Sequence, residues 1–161
     1  MSTFSGKDQI EDKEIQKERK RIITAIHLFN YSCLHSNASK PLTKYTIIYY
    51  ASAFEALLNL PTDKIQSSFE ISISTLFGQK SANLSHWCKL FYGYRSKIVH
   101  GETGWDDKEE EFTALNGKHE YHSRVAHNLF INCLYRKLFL ADYLDVAEYK
   151  HIQIDLKNIL A

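Results

Sequence analysis

Between Lys44 and Asp63 the chain carries one formally charged residue, Glu55, in a run that is otherwise apolar or small and polar. A helix that is apolar on nearly every side belongs in the middle of a bundle. Pro41 and Pro61 bracket the run. Proline fits a first helical turn and is excluded from a helix interior, so the pattern predicts a helix beginning near Pro41–Thr43 and ending before Pro61. Upstream, Ile15, Ile22, Ile23, Ile26 and Phe29 recur on a helical period, and Glu14, Glu18, Arg19 and Arg21 supply a solvated face. That pattern predicts a helix from about Asp12 to Leu34, broken by Ser36, Asn37, Ser39 and Pro41. The polar stretch 1–11 is expected to fray.

The stretch Thr62–Lys80 reads in two ways. Phe69, Ile71 and Ile73 alternate with Ser72 and Ser74 at a strand-like period of two, but no partner strand is evident, and Gly78 suits a helix end. The helical reading is preferred. Asn83 or Ser85 is expected to cap the next helix, which carries Trp87, Leu90, Phe91, Tyr94, Ile98 and Val99 up to Gly101. Residues 101–118 form a polar loop rich in acids, with a short turn around Glu109–Leu115. The last long helix is expected from His119 to Tyr143 or beyond, with Val125, Leu129, Phe130, Cys133, Leu134, Leu138, Ala141 and Val146 on one broad face. A final amphipathic piece, His151–Leu160, extends or caps the bundle. The predicted fold class is all-α: a single domain over 1–161, built as an up-and-down bundle of four to six helices.

Composition supports this picture and narrows the function. Apolar residues make up 44% and aromatic residues 13%, and only two prolines and six glycines punctuate the chain. A β-sandwich needs more turn-formers. Twenty basic residues against 19 acidic ones leave a formal charge of +1, so any contact with nucleic acid must be local rather than a global attraction. Cys33, Cys88 and Cys133 are odd in number and unclustered, which argues against a disulfide framework and against a zinc motif. No apolar run approaches a membrane span, and the N-terminus does not read as a signal peptide. The expected location is the cytoplasm, with no membrane association and no cofactor.

The informative segment is Leu90-Phe91-Tyr92-Gly93-Tyr94-Arg95-Ser96-Lys97-Ile98-Val99-His100-Gly101-Glu102. It resembles the signature of the HEPN superfamily: an arginine, a polar residue and a histidine at the C-terminal end of a helix. The wording looks most like the Apea-like branch. The run Tyr50-Ala51-Ser52-Ala53-Phe54-Glu55-Ala56-Leu57-Leu58 resembles the apolar helix with an embedded glutamate that such domains carry. The resemblance covers roughly 44–145, and only the signature is specific. It implies a helical bundle, often a homodimer, in which Arg95 and His100 are the catalytic pair of a ribonuclease of toxin–antitoxin, phage-defence or RNA-processing type. RNA would be the substrate, and an antitoxin or other neutralising protein a possible partner. The resemblance equally admits a catalytically silent module for dimerisation, partner binding or nucleotide binding. It also admits nucleotidyl transfer onto a tyrosine such as Tyr94.

The residue types suit the chemistry in their own right. RNA cleavage without a metal uses the 2′-hydroxyl as nucleophile and needs a proton shuttle and a cation at the phosphorane. Histidine titrates near neutrality, and arginine offers a permanently charged fork for phosphate oxygens. Five helical steps place Arg95 and His100 about 140° apart on an ideal helix, so Gly101 is expected to end the helix and let His100 swing off its end while Arg95 stays on the last turns. Ser96 could bind phosphate, and Glu55 could hold Arg95 in place. Tyr94 is a further candidate beside Arg95, and Lys97, Lys89 and Arg124 are weak candidates for phosphate contact. His119, Glu120, His122 and His127 lack the spacing of a zinc site, so no metal is expected. The bland alternatives are a solvated arginine and a histidine favoured at a helix C-terminus.

Overall fold

The computed structural model describes residues 6–35, 43–78, 80–104 and 108–139. It is all-α apart from one small hairpin. Helices α1 (Gly6–His35), α2 (Thr46–Leu58), α3 (Ile65–Phe77) and α4 (Ala82–Val99) are followed by strands β1 (Glu111–Thr113) and β2 (His119–Tyr121), then by helix α5 (His122–Phe139). Helix α2 packs on α1, α3, α4 and α5, the central place its nearly uncharged sequence predicts.

The core draws on every helix. Ala25 comes from α1, Ile47, Tyr50, Phe54 and Leu57 from α2, and Phe69 and Ile73 from α3. Helix α4 adds Trp87, Phe91 and Ile98, and α5 adds Val125, Leu129 and Phe130. Phe54 is the hub: its ring meets Phe69, Phe91 and Phe130 edge-on at centroid distances of 5.0, 6.2 and 5.4 Å. Edge-to-face pairs at such distances add to the burial of large apolar area.

The ambiguous stretch after Pro61 is helical, and its burial shows why. Phe69 and Ile73, four apart, are fully buried, whereas Ile71 between them is 60% exposed. A strand would have put all three on one face. Gly78 ends α3 in a left-handed conformation at φ +66°, with its N–H bonded to the last carbonyls.

Several expectations change. Helix α1 begins at Gly6, so residues 6–11 belong to it. Its buried face runs through Ile22, Ala25, Phe29 and Ser32, while Ile15 and Ile23 are exposed. Helix α2 starts at Thr46, later than the proline implied; Thr43 forms an isolated bridge with Lys108 and its carbonyl accepts the Thr46 N–H. The cap of α4 is Ser81, whose side chain accepts from the Leu84 N–H; Asn83 and Ser85 lie inside the helix. The polar loop after Gly101 contains β1, and His119–Tyr121, expected to open the last helix, pair with it as β2. In that register Phe112 is buried beneath the hairpin, and a single buried apolar residue leaves no periodic signal. Tyr143, Ala141, Val146 and the piece His151–Leu160 lie outside the described residues.

Candidate functional site

The end of α4 is fixed by backbone hydrogen bonds. The Gly101 N–H donates to the Ile98 carbonyl at 3.2 Å, and the Glu102 N–H reaches back to Lys97 at 2.8 Å. With Gly101 left-handed at φ +70°, this is the Schellman arrangement that satisfies the last carbonyls of a helix. The break falls after His100. His100 keeps near-helical angles (φ −85°, ψ 0°) and still donates its N–H to Ser96 at 3.0 Å. The expected swing of His100 off the helix end is therefore corrected: it stays on the last turn, about 140° from Arg95 around the axis. The His100 ring is exposed and makes no hydrogen bond or ion pair among the described residues.

Arg95 faces the other way, onto α2. Its Nη2 lies 3.6 Å from Glu55 Oε1, with 30% and 25% of the two side chains exposed. This is an ion pair just beyond hydrogen-bonding reach, so the hydrogen-bonded version of the Glu55 expectation is not met. Glu55 Oε1, Arg95 Nε and the hydroxyl of Tyr92 are all buried without a hydrogen-bond partner. Burial raises the Glu55 carboxyl above its ordinary value, opposed by the Arg95 charge. Burial also pushes the Tyr92 phenol far up, reinforced by Glu55 and opposed by Arg95, so this hydroxyl lies within electrostatic reach of the pair. Between α2 and α4 the Arg95–Glu55 pair thus leaves buried donors and an acceptor unspent.

The segment after His100 is tied down at several points. Lys44, buried just before α2, donates its ammonium to the Gly104 carbonyl. The Glu110 N–H donates to the Tyr94 hydroxyl at 3.0 Å. Glu109, only 6% exposed, accepts the Ser123 N–H on Oε1 at 2.7 Å. A carboxylate at the first N–H groups of α5 meets the positive end of that helix. Even so, burial dominates and pushes the Glu109 carboxyl up to about 6. Beside it, the His122 ring lies between Tyr94 and Phe112 at centroid distances of 5.3 and 4.5 Å, and burial lowers it to about 4.

The other sequence candidates scatter. Tyr94 is buried and holds the loop, on a different side of α4 from Arg95. Ser96 is half-buried, and Lys97 is exposed one turn before the helix end. Arg124 is exposed and ion-paired with Glu120 at 3.5 Å. His119 sits on the exposed hairpin, and His127 packs inward against the Tyr50 hydroxyl at 3.3 Å and Cys33. Among the described residues no group of three or more His, Cys, Asp or Glu could hold a metal ion. None of the described helices is long and apolar enough to cross a membrane.

Lys44, Tyr92 and Glu109 were not legible as special. Glu109 is one of a run of acids, and nothing local marks which of them is buried. Tyr92 is one tyrosine among several on a helical period. Lys44 could have been noticed as the last cation before an uncharged helix. Compared with family models, with curated proteins and with solved structures, the chain matches none.

Proposed function

We propose that the chain is a metal-independent endoribonuclease of the HEPN type, working as a homodimer. His100 would be the general acid/base and Arg95 the phosphate clamp. The observation that carries this reading is the contrast at the end of α4. An unengaged imidazole stands in solvent on a rigid helix end, and a guanidinium in the same signature is held by one carboxylate with hydrogen-bonding capacity left over. Because the two point apart in one chain, a complete site takes His100 from one copy and Arg95 from the other. The 2′-hydroxyl attacks phosphorus and its proton passes to the His100 imidazole. The bond from phosphorus to the 5′-oxygen breaks, and that oxygen takes the proton from the same histidine, now an imidazolium. The products are a 2′,3′-cyclic phosphate and a 5′-hydroxyl. Arginine balances the charge that builds on the phosphorane oxygens.

The test is cleavage of mixed RNA in excess EDTA by the wild type, Arg95→Ala, His100→Ala and an equimolar mixture of the two variants. Each variant alone should be silent, and the mixture should regain part of the activity, since a mixed dimer holds one intact site. The reading fails if all four samples are folded and dimeric but silent, or if the single variants cut as well as the wild type.

A second reading has its own support. The ion pair of Glu55 with Arg95 offsets part of the charge a phosphate clamp would use, which favours a catalytically silent dimerisation or partner-binding module. A toxin or phage-defence role with a protein antitoxin belongs to the first reading only.

A further inference from the structure

Helix α4 holds a glycine that the described residues do not explain. Gly93 sits in the middle of the helix and is exposed, and a Cβ built on it would meet none of the described residues within 4 Å. Glycine in a helix interior costs stability relative to alanine, and among the described residues neither a positive φ nor a close neighbour requires it here. A surface that keeps its backbone bare at such a cost is suited to close approach from outside.

The flanking residues give the chemistry of what approaches. Lys89 and Lys97, one turn to either side, and His100 at the end are exposed on the same face, within about 40° of Gly93 at 100° per residue. None of the three side chains has an ion-pair partner among the described residues. No Asp or Glu occurs between Glu70 and Glu102, so α4 itself puts no acidic side chain on this face, in a chain of nearly balanced charge. From Lys89 to Lys97 the track runs about 12 Å at 1.5 Å per residue, long enough to meet more than one phosphate of a strand laid along it.

We infer that this face of α4 is a track for the backbone of single-stranded RNA. Lys89 and Lys97 bind phosphates, Gly93 lets the strand lie against the helix, and His100 stands where the track ends. The inference deepens the ribonuclease reading and rests on it. It gives that site a sequence-independent substrate, recognised by phosphate and by an unstacked strand able to align its 2′-hydroxyl. The rival occupant, a second α4 crossing at Gly93, would set the lysines of two copies against each other with no counter-charge from the helix itself.

The experiment measures binding of a fluorescent single-stranded 20-nucleotide RNA by anisotropy in EDTA, with salt varied. It compares the wild type with Gly93→Glu, Lys89→Glu and Lys97→Glu, and with Lys17→Glu on a different helix, α1, as a charge-matched control. The mass in solution is measured for each. The expected result is roughly tenfold weaker binding and a shallower salt dependence for the three α4 variants, with Lys17→Glu and every mass unchanged. Equal binding by all the variants would overturn the track while leaving the RNA reading in place. Failure of the wild type to bind would overturn both. Loss of dimer in the α4 variants would make this face a contact between copies and overturn the RNA assignment.

Discussion

Arg95 on α4 and Glu55 on α2 face each other at 3.6 Å, and Arg95 Nε, Glu55 Oε1 and the Tyr92 hydroxyl within their electrostatic reach are buried without a hydrogen-bond partner among the described residues. The pair is close enough for attraction and too far for a hydrogen bond, so the guanidinium is oriented without being saturated. Such a part-exposed pair contributes at most about 1 kcal/mol.

Glu55→Gln separates the two roles that follow. Chemical denaturation should show a loss of no more than about 1 kcal/mol. The rate of RNA cleavage should fall on the order of ten- to a hundredfold, because a displaced clamp no longer meets the phosphate. Unchanged cleavage by the folded variant would remove Glu55 from any positioning role.

Phe54→Ala tests the hub of the core. The ring is fully buried against three other aromatic rings, and its loss should cost about 3–5 kcal/mol. Urea unfolding reads this directly. A loss below about 1 kcal/mol would mean that the four-ring cluster is not packed as described.

Two glycines eight residues apart should respond to alanine with opposite signs. Gly101 is left-handed at φ +70°, so Gly101→Ala should cost about 1–2 kcal/mol and disturb the presentation of His100. Gly93 is helical and has free space, so Gly93→Ala should raise stability by about 0.5–1 kcal/mol. Thermal unfolding of the pair decides both, and a shift in the same direction would contradict the assignment of one glycine to the helix and the other to its cap.

Glu109 and His122 give the stability curve opposing slopes. Glu109 is raised from 4.5 to about 6, by burial first. Its contribution is full below the unfolded value and is lost as pH rises through the folded one, about 2 kcal/mol in all. His122 is lowered from 6.5 to about 4 by burial. Its contribution is present above the unfolded value and is lost as pH falls through the folded one. Over the shared window, about 4.5 to 6, the two slopes cancel. Glu109→Gln removes one of them, so the difference in stability between variant and wild type should grow in the variant's favour by about 2 kcal/mol from pH 4.5 to 7. Parallel curves over that range would show that the carboxyl is not buried as found.

Much of the architecture was written in local pattern. The uncharged run around Glu55 foretold a central helix, because a helix with no polar face has nowhere else to go. Gly78 and Gly101 marked helix ends, because a left-handed residue at that point is nearly free only for glycine. The period-two run at Phe69, Ile71 and Ile73 misleads in isolation. It was resolved by α4 and α5, which pack on α3 and leave Ile71 in solvent.

By itself the sequence determined the helical class, the central place of α2 and the position of the signature at the end of α4. Each follows from short-range periodicity and backbone preference, which act within a few residues. Only the tertiary structure decided which way the signature residues face. The last helical hydrogen bond, from His100 to Ser96, holds the imidazole in solvent, while α2 presents Glu55 to Arg95. It also decided that Glu109, unlike its exposed neighbours Glu110 and Glu111, is drawn in to the start of α5. These outcomes depend on residues far apart in sequence meeting in space, and no local pattern carries that information.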